Sequence, residues 1–336
     1  MAHISFFTLN NGTKIPSVGM GCWMGVPGGG DRVYDMCLAA LKCGYRHFDT
    51  ATGYANEEIV GRAIRDSGIP RSEIYVTTKL ANGDHHRVNE AFETSLGKLG
   101  LDYVDLYLMH WPQGINVLCN SGKNFFHLTC KVLSPEDNPT FIETWKGMEQ
   151  LLQTGKVKTI GVSNFSIKNL ERLLPHCSII PATNQVELHP CHPQNDLKAY
   201  CEAKGILLTA YSPFGELKIS SAPQKLIHLG RSTVFMENPV IKSLAEKNNA
   251  SPAQIVLGWT VQRGTVAIPK SEDKARMIAN ITLIKLSTED MAIIDTLHQA
   301  PGMHKSLLGF DDKKDGTVFG WTYEQLGWNM VVGGHV

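Results

Sequence analysis

The chain of 336 residues has no run of about 20 apolar residues, the length a helix needs to cross a bilayer. Its opening, MAHISFFTLNNG, lacks the basic stretch and long apolar core of a secretion signal, so a cytoplasmic protein is expected. An excess of one charge is missing too. Lys plus Arg and Asp plus Glu total 32 each, which removes the net attraction that draws proteins to phosphate backbones or anionic lipid. Neither nucleic acid nor membrane is therefore an expected partner. The eight cysteines form no C-x-x-C pair, and a chain with 43% hydrophobic residues can build its core without disulfides, so reduced core thiols are expected. One further absence bears on chemistry: no G-x-G-x-x-G opens a helix after the first β-rich run, which leaves a Rossmann nucleotide site without support.

What the chain does have is a repeating unit of short β-rich run, polar loop and helical segment, the pattern of parallel strands joined by helices. The β-rich runs lie at 17–23, 45–51, 74–80, 104–112, 159–164, 182–188, 206–212 and 265–270. Eight such units without an internal linker predict one (β/α)8 TIM barrel domain over residues 1–336. The clearest helix covers 88–99, with Val88, Ala91, Phe92, Ser95, Leu96 and Leu99 on one stripe. A second covers 32–43 with Val33, Met36, Cys37, Ala40 and Leu41 inward, and ends at Gly44. Another opens at Ser251-Pro252, a hydroxyl cap followed by proline at the first helical position. Ahead of the first unit, SFFTLNNGTKIPS predicts an N-terminal β-hairpin turning at Asn11-Gly12 and plugging the barrel bottom. The stretches 113–140 and 213–238 exceed ordinary connections and are expected to form lids or walls on the catalytic face, while 300–336 shows no helical stripe.

In such a barrel the reactive groups stand at the carboxyl ends of strands. Asp49 ends the second run and Tyr54 follows it, Lys79 ends the third, and His110 and Trp111 end the fourth. Asp49 would hold Lys79 as an ammonium, and that cation is expected to lower the Tyr54 pKa and make the phenol a general acid near neutrality. His110 would hydrogen-bond a carbonyl oxygen as negative charge grows there. Taken singly, each residue has a plainer reading as a surface tyrosine, a structural ion pair or a core histidine. Together they form a proton donor with no nucleophile and no metal, which needs a hydride from elsewhere. Near the eighth run, Lys270, Ser271 and Arg276 gather at the start of a helix, where cations, a hydroxyl and amide donors suit a phosphate. In ELHPCHP (187–193), His189, Cys191 and His192 lack a fourth ligand, so no metal is expected, and His85-His86 reads as a solvated loop pair.

The segments GYRHFDTATGYANEEIVGRAI (44–64), TTKL (77–80) and LMHWP (108–112) closely resemble the aldo-keto reductases, and the likeness runs from about Phe7 to Ser306. The resemblance implies a catalytic tetrad of Asp49, Tyr54, Lys79 and His110, with Tyr54 as the acid in reduction of an aldehyde or ketone to the alcohol. It also implies NADPH as cofactor. Lys270, Ser271 and Arg276 would then hold the 2′-phosphate, Asn280 the adenine, and Ser163, Asn164 and Gln185 the nicotinamide carboxamide. Tyr211 would be the ring on which the nicotinamide stacks, and Ser212 and Gly215 would begin a loop over the pyrophosphate. Trp23, Trp111 and Phe126 would wall an apolar substrate pocket. Glu272, beside Ser271, and Ala279, where many members carry a glutamate, depart from the pattern and keep NADH open as an alternative.

Within the family the chain looks most like fungal aldose, glyceraldehyde and glycerol-type reductases, including xylose reductases. Where the xylose enzymes carry an R-F-N-D-P-type segment, MHKSLLGFDD (303–312) stands instead, which counts against a pentose in particular; an aldose or small hydroxyaldehyde is expected, with a uronic acid or aromatic aldehyde as alternatives. A nucleotide-sensing regulatory subunit resembling the potassium-channel β-subunits is the competing expectation, because such proteins retain the tetrad. A glycosidase would need two opposed carboxylates, and only Asp49 is clearly placed at the mouth. A monomer or weak homodimer is expected.

Overall fold

Alternation along parallel strands decides which side chains reach a barrel interior, and it governs this fold from its first element onward. A computed structural model describes residues 5–116, 132–215, 235–306 and 316–336. The hairpin comes first, with β1 (Phe6–Thr8) antiparallel to β2 (Lys14–Pro16). Barrel strands β3 (Met20–Gly21), β4 (His47–Asp49), β5 (Tyr75–Leu80), β6 (Leu106–Met109), β7 (Ile160–Ser163), β8 (Thr183–Glu187), β9 (Leu207–Tyr211) and β10 (Val266–Ala267) follow, each parallel to its neighbour. One falls within each of the eight β-rich runs. Val18 bridges Ala267 in parallel, with Gly19 N–H donating to Ala267 O (2.8 Å) and Ala267 N–H to Ser17 O (2.9 Å), so the first strand meets the last and the sheet closes. The fold is a (β/α)8 barrel.

Helices α1 (Gly30–Cys43), α2 (Glu57–Asp66), α3 (Val88–Leu99), α4 (Phe141–Leu151), α5 (Ile167–Leu173) and α6 (Asn195–Ala203) follow strands β3 to β8 in turn. Then α7 (Pro239–Lys247) and α8 (Pro252–Gln262) lie between β9 and β10, and α9 (Lys274–Ile281) and α10 (Thr288–Asp295) come after the last strand. The inward faces of α1 and α3 are those the spacing predicts. At the start of α8 the Ser251 hydroxyl accepts from Gln254 N–H while the Gln254 side chain accepts from Ser251 N–H, a reciprocal cap. The C-terminal stretch adds a small hairpin, β11 (Thr317–Val318) with β12 (Trp321–Thr322), and the single turn α11 (Tyr323–Leu326).

Val76, Leu80, Tyr107, Met109, Val162 and Val186 point outward and join the helices in the main core. Tyr75, Leu106, Leu108, Ala182, Val266 and Ile268 point inward and pack with Leu9 and Ile15 of the N-terminal hairpin, which therefore plugs the barrel bottom as expected. Space inside is tight: a Cβ on Gly161 would sit 2.8 Å from Leu108 Cδ2, so glycine there makes room for a filling leucine. His85 corrects the reading of a solvated pair. It is buried while His86 is exposed, and burial pushes its imidazole down to about 3, which keeps it neutral in the fold. No helix among the described residues is long and apolar enough to cross a membrane.

Candidate active site

The alternation that fills the barrel with leucines lower down delivers polar groups at the carboxyl ends. Asp49 ends β4 and Lys79 is the penultimate residue of β5. His110 follows β6, on the face shared by Leu106 and Leu108. Tyr54 arrives differently. It closes a one-turn helix over 52–54, and its carbonyl accepts from Gly28 N–H (2.8 Å), a glycine whose φ of 89° few other residues would adopt.

Lys79 is the hub. Its ammonium lies 2.5 Å from Asp49 Oδ1, 2.8 Å from Thr50 O and 3.5 Å from the Tyr54 hydroxyl, with both charged side chains sealed from solvent. The second Asp49 oxygen accepts from Gln185 Nε2 at 2.7 Å. Burial works against the Lys79 charge, but the Asp49 carboxylate and the Tyr54 phenol outweigh it and hold the ammonium above its ordinary range. The His110 ring stands edge-on to Tyr54, centroids 5.7 Å apart, and Trp23 covers another side at 5.0 Å. Burial and the Lys79 charge push His110 well below the usual imidazole range, so it is neutral and can donate a hydrogen bond without bringing a charge.

One expectation is corrected at Tyr54. The ammonium does pull the phenol down, but burial pushes it up more strongly and the net shift is above the ordinary tyrosine value. Desolvating a phenolate costs more here than one cation at 3.5 Å returns, and the Asp49 carboxylate opposes that cation's pull. Tyr54 is thus held protonated throughout the neutral range.

Ser163, Asn164, Gln185 and Tyr211 come together on neighbouring strands. Tyr211 donates to Asn164 Oδ1 (2.7 Å), Asn164 Nδ2 donates to His110 O (3.0 Å) and to Ser163 Oγ (3.1 Å), and Ser163 donates to Gln185 O (2.8 Å). Asn164 holds its place with φ 65°, a left-handed conformation that asparagine tolerates. These bonds fix the orientations of the Asn164 amide and the Tyr211 ring. Ser212 (φ 46°) and Gly215 (φ 60°) form a turn, Gly215 N–H donating to Ser212 O at 2.9 Å.

Lys270, Ser271, Arg276 and Asn280 form a second group where β10 leads into α9, on the same rim because β9 and β10 are neighbours. Asp273 caps α9 by accepting from Arg276 N–H at 2.8 Å, and Asn280 is buried. This set fits a dinucleotide: cations and helix amides for a phosphate at one end, fixed amides and an aromatic face at the other. Among the described residues no group of three or more His, Cys, Asp or Glu is placed to hold a metal ion.

Trp111 is buried beside His110, centroids 6.5 Å apart. Phe126 lies outside the described residues, as do 307–312 of the segment compared with the xylose enzymes. Two aromatic residues packed against Trp111 escaped the sequence reading: Phe319 meets it edge-on at 4.9 Å and Trp328 approaches it at 6.0 Å. The hairpin that carries Phe319 is tied down by Gln113 Nε2 donating to Val318 O (2.9 Å) and Trp321 Nε1 donating to Leu133 O (2.7 Å), and Trp328 follows α11. For Phe319 the sequence signal was the aromatic turn VFGW, too short for periodicity and about 200 residues from Trp111.

The model of the Aldo/keto reductase family matches residues 18–299. Glycerol 2-dehydrogenase (NADP(+)) of Saccharomyces cerevisiae is 43% identical over 301 residues, covering 88% of this chain and 91% of the relative. Aldehyde reductase YPR1 of the same yeast is 43% identical over 308 residues, with the same 88% and 91% coverage. A Bombyx mori aldo-keto reductase solved in complex with NADP superposes with a TM-score of 0.78 at 34% identity, covering 94% of this chain and 98% of that one. A barrel closed by its own first and last strands, with Asp49, Tyr54, Lys79 and His110 at one mouth, agrees with matches that span nearly the whole chain, and the chain belongs to the aldo/keto reductase family.

Proposed function

We propose that the protein reduces an aldehyde or ketone to the corresponding alcohol with NADPH, using Tyr54 as the general acid. The observation that carries this reading is a buried ammonium, Lys79, shared between Asp49 and the Tyr54 hydroxyl beside a neutral His110. When bound, the reduced nicotinamide supplies a hydride to the carbonyl carbon. His110 orients the carbonyl oxygen by donating to it, and Tyr54 gives that oxygen its proton. Lys79, still charged through its contact with Asp49, stabilises the phenolate left on Tyr54. Tyr211 and the amides of Asn164 and Gln185 would receive the nicotinamide. Lys270, Ser271 and Arg276 would receive the 2′-phosphate, and Asn280 the adenine.

Trp23, Trp111, Phe319 and Trp328 give the pocket aromatic walls, and the polar set behind them faces the reacting oxygen. An aldose or small hydroxyaldehyde suits that division, and the names of the yeast relatives, a glycerol dehydrogenase and an aldehyde reductase, support the same class. The test is steady turnover of a panel of aldoses, hydroxyaldehydes and aromatic aldehydes with NADPH and NADH. Catalytic reduction with NADPH, best on small hydroxylated aldehydes, is expected. Tight cofactor retention with no turnover on any carbonyl would instead identify a nucleotide-sensing regulator.

A further inference from the structure

Glu272 lies two residues after Lys270, at the end of the site that the cofactor reading gives to a phosphate. A lone carboxylate there would repel a phosphate dianion and favour an unphosphorylated ribose. It is not alone. Arg32, in the first turn of α1, grips it with two parallel bonds, Nε to Oε2 at 3.1 Å and Nη2 to Oε1 at 2.8 Å, and the Lys270 ammonium also contacts Oε1. Burial works against ionisation of Glu272, but Lys270 and Arg32 outweigh it and hold the carboxyl below its ordinary range, so it is charged at neutral pH. Three charged groups, two positive and one negative, therefore share one spot where the sequence alone places only Lys270 beside the acid.

Planar guanidinium against carboxylate is the better-matched of the two contacts, because both partners are flat and two bonds form at once. Lys270 holds the same oxygen as a single point charge and can be drawn off by a stronger anion. We infer that Arg32 is a cofactor-selectivity residue: by keeping Glu272 occupied it leaves Lys270 to meet the 2′-phosphate and cancels the repulsion that the carboxylate would otherwise exert. In this account Arg32 does not touch the cofactor; it acts through Glu272. The inference rests on the phosphate reading of Lys270, Ser271 and Arg276.

Titration calorimetry of NADPH and NADH into the full chain tests it, with R32Q, E272Q, the double variant and R276A compared. Arg32→Gln is expected to raise the NADPH-to-NADH ratio of Kd roughly tenfold, the scale of one unmasked charge near a partly exposed phosphate, and to do so less as salt is added. Adding Glu272→Gln to Arg32→Gln is expected to return the ratio to that of Glu272→Gln alone. An unchanged ratio in Arg32→Gln, equal losses for both cofactors, or a selective loss that Glu272→Gln does not rescue would each overturn the inference. Arg276→Ala separates the two levels. If it weakens NADPH selectively while Arg32→Gln leaves the ratio alone, only the role of Arg32 fails; if neither variant changes the ratio, the phosphate site itself is misplaced.

Discussion

At the scale of single residues, the contest at Tyr54 is between burial, which disfavours a phenolate, and Lys79, which favours one. Burial prevails, and that suits an acid: a group raised above its ordinary value stays loaded with its proton until the solution is strongly alkaline. Reduction needs the protonated form, so its rate is expected to stay level from roughly pH 6 to 9 and to fall only as pH rises past the elevated phenol pKa. A pH profile of kcat/KM for aldehyde reduction checks this, and a fall between neutrality and pH ~9 would mean that the ammonium dominates after all. That Asp49, Tyr54, Lys79 and His110 would meet at one mouth was legible because each stands at or just after the carboxyl end of a recognisable strand. The sign of the Tyr54 shift was not, since it depends on how completely Trp23 and its neighbours exclude water, which no spacing reports. Arg32 was hidden for a related reason: its partner Glu272 is 240 positions away.

At the scale of elements, the sequence pattern worked where hydrophobic periodicity is long enough to register. Helix α3 lies within the predicted bounds with the predicted buried face, and the Ser251 cap starts α8 where a hydroxyl precedes proline. The C-terminal hairpin escaped because strands of two residues carry no period. Close approach between helices was also invisible. A Cβ on Gly61 in α2 would stand 1.9 Å from Leu99 O at the end of α3, where Arg65 also donates to that carbonyl. Backbone cannot yield as a flexible side chain can, so Gly61→Ala should force the two helices apart despite the better helix propensity of alanine. We expect it to lower stability by about 2 to 3 kcal/mol, read as a reduced denaturant midpoint at unchanged m. An unchanged or raised midpoint would show that the contact is relieved elsewhere.

At the scale of the whole molecule, division of labour along the barrel axis explains why one fold can be both rigid and reactive. The hairpin and the inward leucines fill the lower barrel, and the same alternation, continued upward, brings charge to the rim. A buried ion pair contributes little net stability, because desolvating both partners offsets their attraction. The Asp49 and Lys79 pair is therefore no large source of stability, and under the proposed function its part is to hold the charge beside Tyr54. Strand count and barrel class could be read from eight β-rich runs, but closure depended on backbone bonds between Ser17, Gly19 and Ala267 that only the folded chain displays. The most direct measurement is single-turnover aldehyde reduction by Tyr54→Phe, with NADPH affinity measured in parallel. Removing one hydroxyl is expected to slow reduction by at least about 100-fold while leaving NADPH affinity nearly unchanged, and reduction at the wild-type rate would contradict the assignment of Tyr54 as proton donor.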